Sequence, residues 1–318
     1  MTPKEAVDLY LHNPAQSATN YVQWVEELQN APKIDYGCVL DKHLIPLHPG
    51  DLMAVVARPG HGKSSFMAYL AKRAADKITE RGDNKKCVIY VSWEQSVEEI
   101  EAFFQSGENY NSTDLAWGRV DIETVRRNTI GRAGLPIWMV GNSIKKSGIK
   151  KPPLTLDLVL DAVRGMRYEY GYEPVLLCLD YLQIIPVKGN GSRFEQVSEA
   201  TIQAKQLAME IGVPIVAGVQ AARAADNRAG QMPTMGDAQH SSAIEQTADK
   251  QLALFRPIKV TEAGEYITIA GSEYEVNDKL LVFRLLKQRF DVGAGTWPVR
   301  FEPHTLKITD YQTHSLEQ

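Results

Sequence analysis

Cysteine is scarce. Cys38, Cys87 and Cys178 are the only three in 318 residues, and they lie far apart in no zinc-ligand spacing. That excludes a disulfide framework and fits a chain kept in a reducing compartment. No apolar run is long enough to span a bilayer. The opening Met1-Thr2-Pro3-Lys4-Glu5 has no secretory-signal pattern, so a cytoplasmic protein of a bacterial or phage-infected cell is expected, with no membrane partner. Basic excess is missing too: 35 Lys and Arg stand against 39 Asp and Glu, a net charge of −4. The field of the whole chain therefore does not favour nucleic acid. Any such binding must come from a local basic surface or from many copies lining one channel. Internal repeats and low-complexity segments are also absent. The length suits one large α/β domain with a small appendage.

What is present centres on Ala57-Arg58-Pro59-Gly60-His61-Gly62-Lys63-Ser64-Ser65. An apolar run, residues 52–56, precedes this loop. A helical pattern of Phe66, Met67, Leu70, Ala71, Ala74, Ala75 and Ile78 follows it. That is the strand–loop–helix setting of a nucleotide-phosphate loop. Gly60 and Gly62 let backbone N–H groups turn around an anion, and the helix start adds its positive dipole end. The expected ligands are ATP and Mg²⁺. Residues 58–65 cradle the phosphates, Lys63 reaches the β- and γ-phosphates, and the Ser64 hydroxyl meets the metal. Ala57 stands where the strict motif has its first glycine.

Apolar runs at 52–57, 87–92, 137–140, 175–180 and 214–219 alternate with helical patterns near 96–105, 156–170 and 194–211. This predicts a mostly parallel sheet covered by helices on both faces. Residues 251–255, 266–270, 280–286 and 297–301 read as strands joined by turns, an antiparallel extension at the sheet edge. Residues 1–45 read as a helical lead-in, with 46–318 as the main domain. The lead-in is too short for a core of its own, so it is expected to pack on the main domain or on a neighbouring copy.

Three strand ends carry further chemistry. Glu94 follows the strand 87–92, where a carboxylate can orient or deprotonate an attacking water. It also precedes Ser96-Val97-Glu98-Glu99, so a place beside a helix cap fits equally. Asp180 ends a hydrophobic strand in the Walker B manner and would hold Mg²⁺. Gln220 ends another strand, where an amide can sense a γ-phosphate or simply bond to backbone.

These stretches, in this order, resemble the RecA-like ATPase domain of the DnaB family of hexameric replicative helicases. The resemblance rests on Ser92-Trp93-Glu94, Asp180-Tyr181-Leu182-Gln183, Gln220 with Arg223, Ser242-Ala243-Ile244-Glu245-Gln246-Thr247-Ala248-Asp249, and Lys287-Gln288-Arg289. It spans residues 45–310. It implies a RecA-like P-loop fold and ATP hydrolysis, with Lys63 in the phosphate loop, Glu94 as catalytic glutamate and Gln220 as γ-phosphate sensor. Lys287 and Arg289 would be donated to the ATP of the adjacent subunit. Neither has an acidic immediate neighbour in the chain, although two edge-strand charges would look the same. The implied partners are single-stranded DNA, further copies in a hexameric ring, and a helicase loader or other replication protein. The family's large N-terminal helical domain has no counterpart, and residues 1–45 match at most its linker helix. DNA contacts are expected from Lys188 and Arg193 in the loop 186–193, which as a solvated surface loop would look alike. Gln239, His240 and Ser241 are expected to add to them. There Gln239 replaces the family's usual Arg, and Ser242 its Gly. An ATPase that remodels or recruits protein partners without unwinding, or a nucleotide-dependent assembly scaffold, fits the same phosphate loop.

Overall fold

A computed structural model describes residues 2–30, 33–105, 110, 112–189, 191–222, 232–237, 242–290 and 294–311. The chain divides into two compact units, residues 1–34 and 35–318. The first holds α1 (Pro3–Tyr10) and α2 (Pro14–Asn30). A reciprocal capping box between Thr2 and Glu5 starts α1. Residues 35–45, which the sequence grouped with the lead-in, belong to the larger unit, where Tyr36, Leu40 and Leu44 are buried.

The larger unit runs β1 (Leu52–Ala57), α3 (Lys63–Arg81), β2 (Lys86–Ser92), α4 (Val97–Gln105), α5 (Ser112–Ala116), α6 (Ile122–Ala133) and β3 (Ile137–Gly141). It continues through α7 (Leu156–Tyr170), β4 (Glu173–Asp180), α8 (Arg193–Ile211), β5 (Ile215–Gln220) and α9 (Ser242–Thr247). It ends in β6 (Lys250–Phe255), β7 (Tyr266–Ile269), β8 (Ser272–Glu275), β9 (Leu280–Gln288), β10 (Gly295–Glu302) and β11 (Lys307–Asp310). Nine strands form one sheet in the order β11-β10-β9-β6-β1-β5-β4-β2-β3, and β7 pairs with β8 in a separate hairpin. From β6 to β3 every pairing is parallel. β9, β10 and β11 extend it antiparallel.

The predicted fold class is what the chain adopts, with one strand regrouped. The run at 251–255 was expected in the antiparallel extension, yet β6 lies parallel to β1, and the reversal comes one strand later. β1 is buried on both faces, as its continuous apolar sequence requires. Leu52, Ala54 and Val56 join α7 and α8 in one core layer. α3 lies on the other face, where Phe66 packs 4.9 Å from Phe283 of β9, ring centre to ring centre. No helix among the described residues is long and apolar enough to cross a membrane.

Candidate nucleotide-binding site

β1 ends at Ala57, and the chain must turn before α3 begins. Gly60 (φ +77°) and Gly62 (φ +92°) take backbone conformations that a side chain disfavours, and Gly62 caps α3. The amides at the head of α3 lack intrahelical acceptors, as at any helix start, and so are available to an anion. Ala57 causes no strain in place of glycine, because it is still in strand, paired with Gln220 and Leu254.

The strands beside β1 end around this loop. Together they enclose a cleft of about 350 Å³ lined by Arg58, Pro59, Gly60, Gly62, Lys63, Ser64, Ser65, Glu94, Gln220 and others. The side chain of Lys63 crosses β5 at Gly218, where a Cβ would lie 2.9 Å from Lys63 Cδ. Its ammonium sits 3.4 Å from Asp180 Oδ1 and 3.8 Å from the centre of the Tyr181 ring. Burial pushes this ammonium below its usual range, opposed chiefly by the Asp180 charge.

Asp180 is 1% exposed. Its Oδ2 accepts a 3.0 Å hydrogen bond from the Tyr90 hydroxyl, while the buried Oδ1 is engaged only by the Lys63 ammonium at 3.4 Å. A buried carboxylate oxygen in the cleft, held only by the long Lys63 contact, is a fitting ligand for Mg²⁺, which takes one or two protein oxygens and fills its shell with phosphates and water. Among the described residues no group of three His, Cys, Asp or Glu forms a metal cage. A nucleotide-borne Mg²⁺ needs none.

Gln220 is held by its backbone. Gln183 donates from Nε2 to Gln220 O at 3.0 Å and accepts Gln220 N at 3.1 Å through Oε1. Glu94 is exposed at the cleft mouth. The neighbouring cap is made by Ser96 and Glu99, which bond each other's backbone N–H reciprocally, so Glu94 is not the cap residue.

The side chain of His61 does not line the cleft. It is buried, stacked on Phe255, with Nδ1 accepting the Arg256 N–H at 3.0 Å. The loop uses His61 as its footing. That contact brings Arg256 into the cleft lining, where burial lowers the guanidinium's pKa. Tyr90, Gln183, Tyr181 and Arg256 carried no role in the sequence reading. Their places depend on which strands are neighbours, which spacing does not reveal.

Lys287 and Arg289 are not at the cleft. Lys287 Nζ donates to Glu245 O at 2.6 Å and to Gln246 O at 3.2 Å. Arg289 lies 3.1 Å from Asp249 Oδ1. The absence of an acidic sequence neighbour therefore misleads, because Asp249 arrives from the short connection between α9 and β6. Asp249 adjoins Leu52, at the start of β1. The cleft lies beyond the other end of that six-residue strand, roughly 16–20 Å away at about 3.3 Å per residue. Lys188 and Arg193 follow β4 on the cleft side of the sheet. Lys188 is exposed and pairs with Asp157 at 3.1 Å, and Arg193 opens α8. Gln239, His240, Ser241 and Arg223 lie outside the described residues.

The family model of the DnaB-like helicase C terminal domain matches residues 38–310. A replicative DNA helicase named DnaC from Bacillus subtilis is 30% identical over 223 residues, 68% of this chain and 45% of that protein. Replicative DNA helicase DnaB of Rickettsia bellii is 29% identical over 226 residues, 68% of this chain and 43% of that one. The chain thus spans less than half the length of these curated relatives. Among solved structures, a DnaB-like replicative helicase described with its interactions with primase superimposes with a TM-score of 0.72 at 21% identity, covering 97% of this chain and 71% of that one. A second solved structure, described as an ATPase domain, gives a TM-score of 0.72 at 20% identity, covering 94% of this chain and 100% of that one.

Proposed function

The chain belongs to the family of DnaB-like helicase C-terminal domains, and on that premise we propose that it is an ATP-hydrolysing motor that moves on single-stranded DNA as a ring of copies. One observation carries the reading: four strand ends deliver the phosphate loop, Glu94, Asp180 and Gln220 to a single cleft. Residues 58–60 and 62–65 hold the triphosphate, and Lys63 leaves Asp180 for the phosphates when they enter. Asp180 and Ser64 hold Mg²⁺, which when bound offsets phosphate charge. Glu94 accepts a proton from, or orients, the attacking water. Gln220, fixed by Gln183, reports the γ-phosphate.

Lys287 and Arg289 stand near the start of β1, at the opposite end of the strands from the cleft, so within one chain they cannot serve it. In a ring they reach the cleft of the next copy, where an arginine stabilises charge on the transferred phosphoryl group. A hexamer, a loader and DNA unwinding follow from the family's pattern and belong to the same proposal.

Lys63→Ala is expected to abolish hydrolysis. Glu94→Gln is expected to bind ATP normally and lose turnover, because cradling and water activation are separate tasks. Steady-state hydrolysis and nucleotide affinity measured on both variants test this. Near wild-type turnover in Glu94→Gln would remove Glu94 from the mechanism.

A further inference from the structure

Asp249 sits between α9 and β6 and is 3% exposed. Its Oδ2 accepts the Leu52 N–H at 2.8 Å and Lys205 Nζ at 2.7 Å. Its Oδ1 faces Arg289 Nη1 at 3.1 Å. Its carbonyl accepts the Arg289 N–H at 3.0 Å. One residue therefore holds Arg289 by both main chain and side chain. Three and four residues earlier, carbonyls at the end of α9 hold the Lys287 ammonium, a placement that a helix C-terminus favours.

We infer that Asp249 is a positioning residue for hydrolysis: it presents Arg289, and the α9 end presents Lys287, toward the phosphates of a second copy. This rests on the reading that the pair acts across an interface. The Asp249 side chain is buried while that of Arg289 is half exposed. A long, flexible side chain is thus anchored at one nitrogen, with other guanidinium N–H donors left for an incoming anion. Anchoring removes rotamer freedom before docking, so less is lost when the interface closes. The carboxylate also separates two cations, Lys205 and Arg289. Neutralising it leaves them to repel each other and releases the exposed one.

The test compares Asp249→Asn, Lys205→Met, Arg289→Ala and the Asp249→Asn/Arg289→Ala double variant in assembled protein. Nucleotide affinity, steady-state turnover and melting temperature are measured for each. Asp249→Asn is expected to bind nucleotide as wild type does and to turn over about 10²-fold slower, the scale of a small misplacement of a reacting group. Lys205→Met removes the other cation from the same carboxylate. It is expected to lower the melting temperature and keep wild-type turnover. The double variant is expected to be no slower than Arg289→Ala, because Asp249 acts through Arg289. Where Asp249→Asn does not fold, Asp249→Glu keeps the charge and moves it by one methylene, and the same selective loss is expected. Wild-type or faster turnover in the Asp249 variants, equal loss in Lys205→Met, or multiplying losses in the double variant would each overturn the positioning role. Wild-type turnover in Arg289→Ala is a different failure: it removes the interface reading itself, and the positioning role with it.

Discussion

At the residue scale, the cleft depends on a close approach between Lys63 and the backbone of β5. Gly218 leaves room for the lysine stem, and a Cβ there would meet Lys63 Cδ at 2.9 Å and Tyr181 Cβ at 3.2 Å. Gly218→Ala is therefore expected to push the ammonium away from Asp180 and weaken ATP binding by about tenfold, the equivalent of roughly 1.4 kcal/mol. Isothermal titration with a non-hydrolysable analogue measures this, and unchanged affinity would show that the stem yields freely. The grouping of Lys63, Ser64 and Asp180 was legible in the sequence because a phosphate-loop pattern fixes their types and local spacing. Gly218, Tyr90 and Gln183 were not, because their roles exist only across strands. Tyr90 Oη meets Asp180 from ninety positions earlier. His61 shows the converse, since the side chain of a position within a recognised loop packs against Phe255 rather than into the cleft.

At the scale of elements, the buried strands were readable because both faces of each are covered, giving runs such as Leu52-Met53-Ala54-Val55-Val56. The misses share a cause. α6 buries no residue, and β8 and β11 are short and largely exposed, so none of the three carries a strong period. The direction of β6 was illegible because an apolar run looks alike in parallel and antiparallel pairing. The segment after β4 is where the proposed DNA contact is tested. Lys188 is exposed and its pair with Asp157 is solvent-screened, so it contributes little to stability. Lys188→Ala with Arg193→Ala is expected to leave the fold and basal hydrolysis intact while weakening oligo-dT binding and DNA stimulation. The wild-type affinity should fall as salt rises, through counterion release. Fluorescence anisotropy over a salt series checks both. An assembled ring without affinity for single-stranded DNA at low salt would favour the partner-remodelling ATPase instead.

At the scale of the whole molecule, the net charge of −4 means that the proposed DNA affinity has to come from an assembly, where each local cation is multiplied by the number of copies. The same logic governs catalysis. One chain holds the cleft at one end of its strands and the Lys287/Arg289 pair at the other, so on the proposed reading a complete site takes two chains. Mixing Lys63→Ala chains with Arg289→Ala chains tests this most directly, with mixed assemblies verified by native mass spectrometry. An interface that joins the intact phosphate loop of an Arg289→Ala copy to the intact arginine of a Lys63→Ala copy has every part. The mixture is therefore expected to hydrolyse ATP faster than either variant alone. Verified mixed assemblies with no gain in turnover would contradict a site shared between copies.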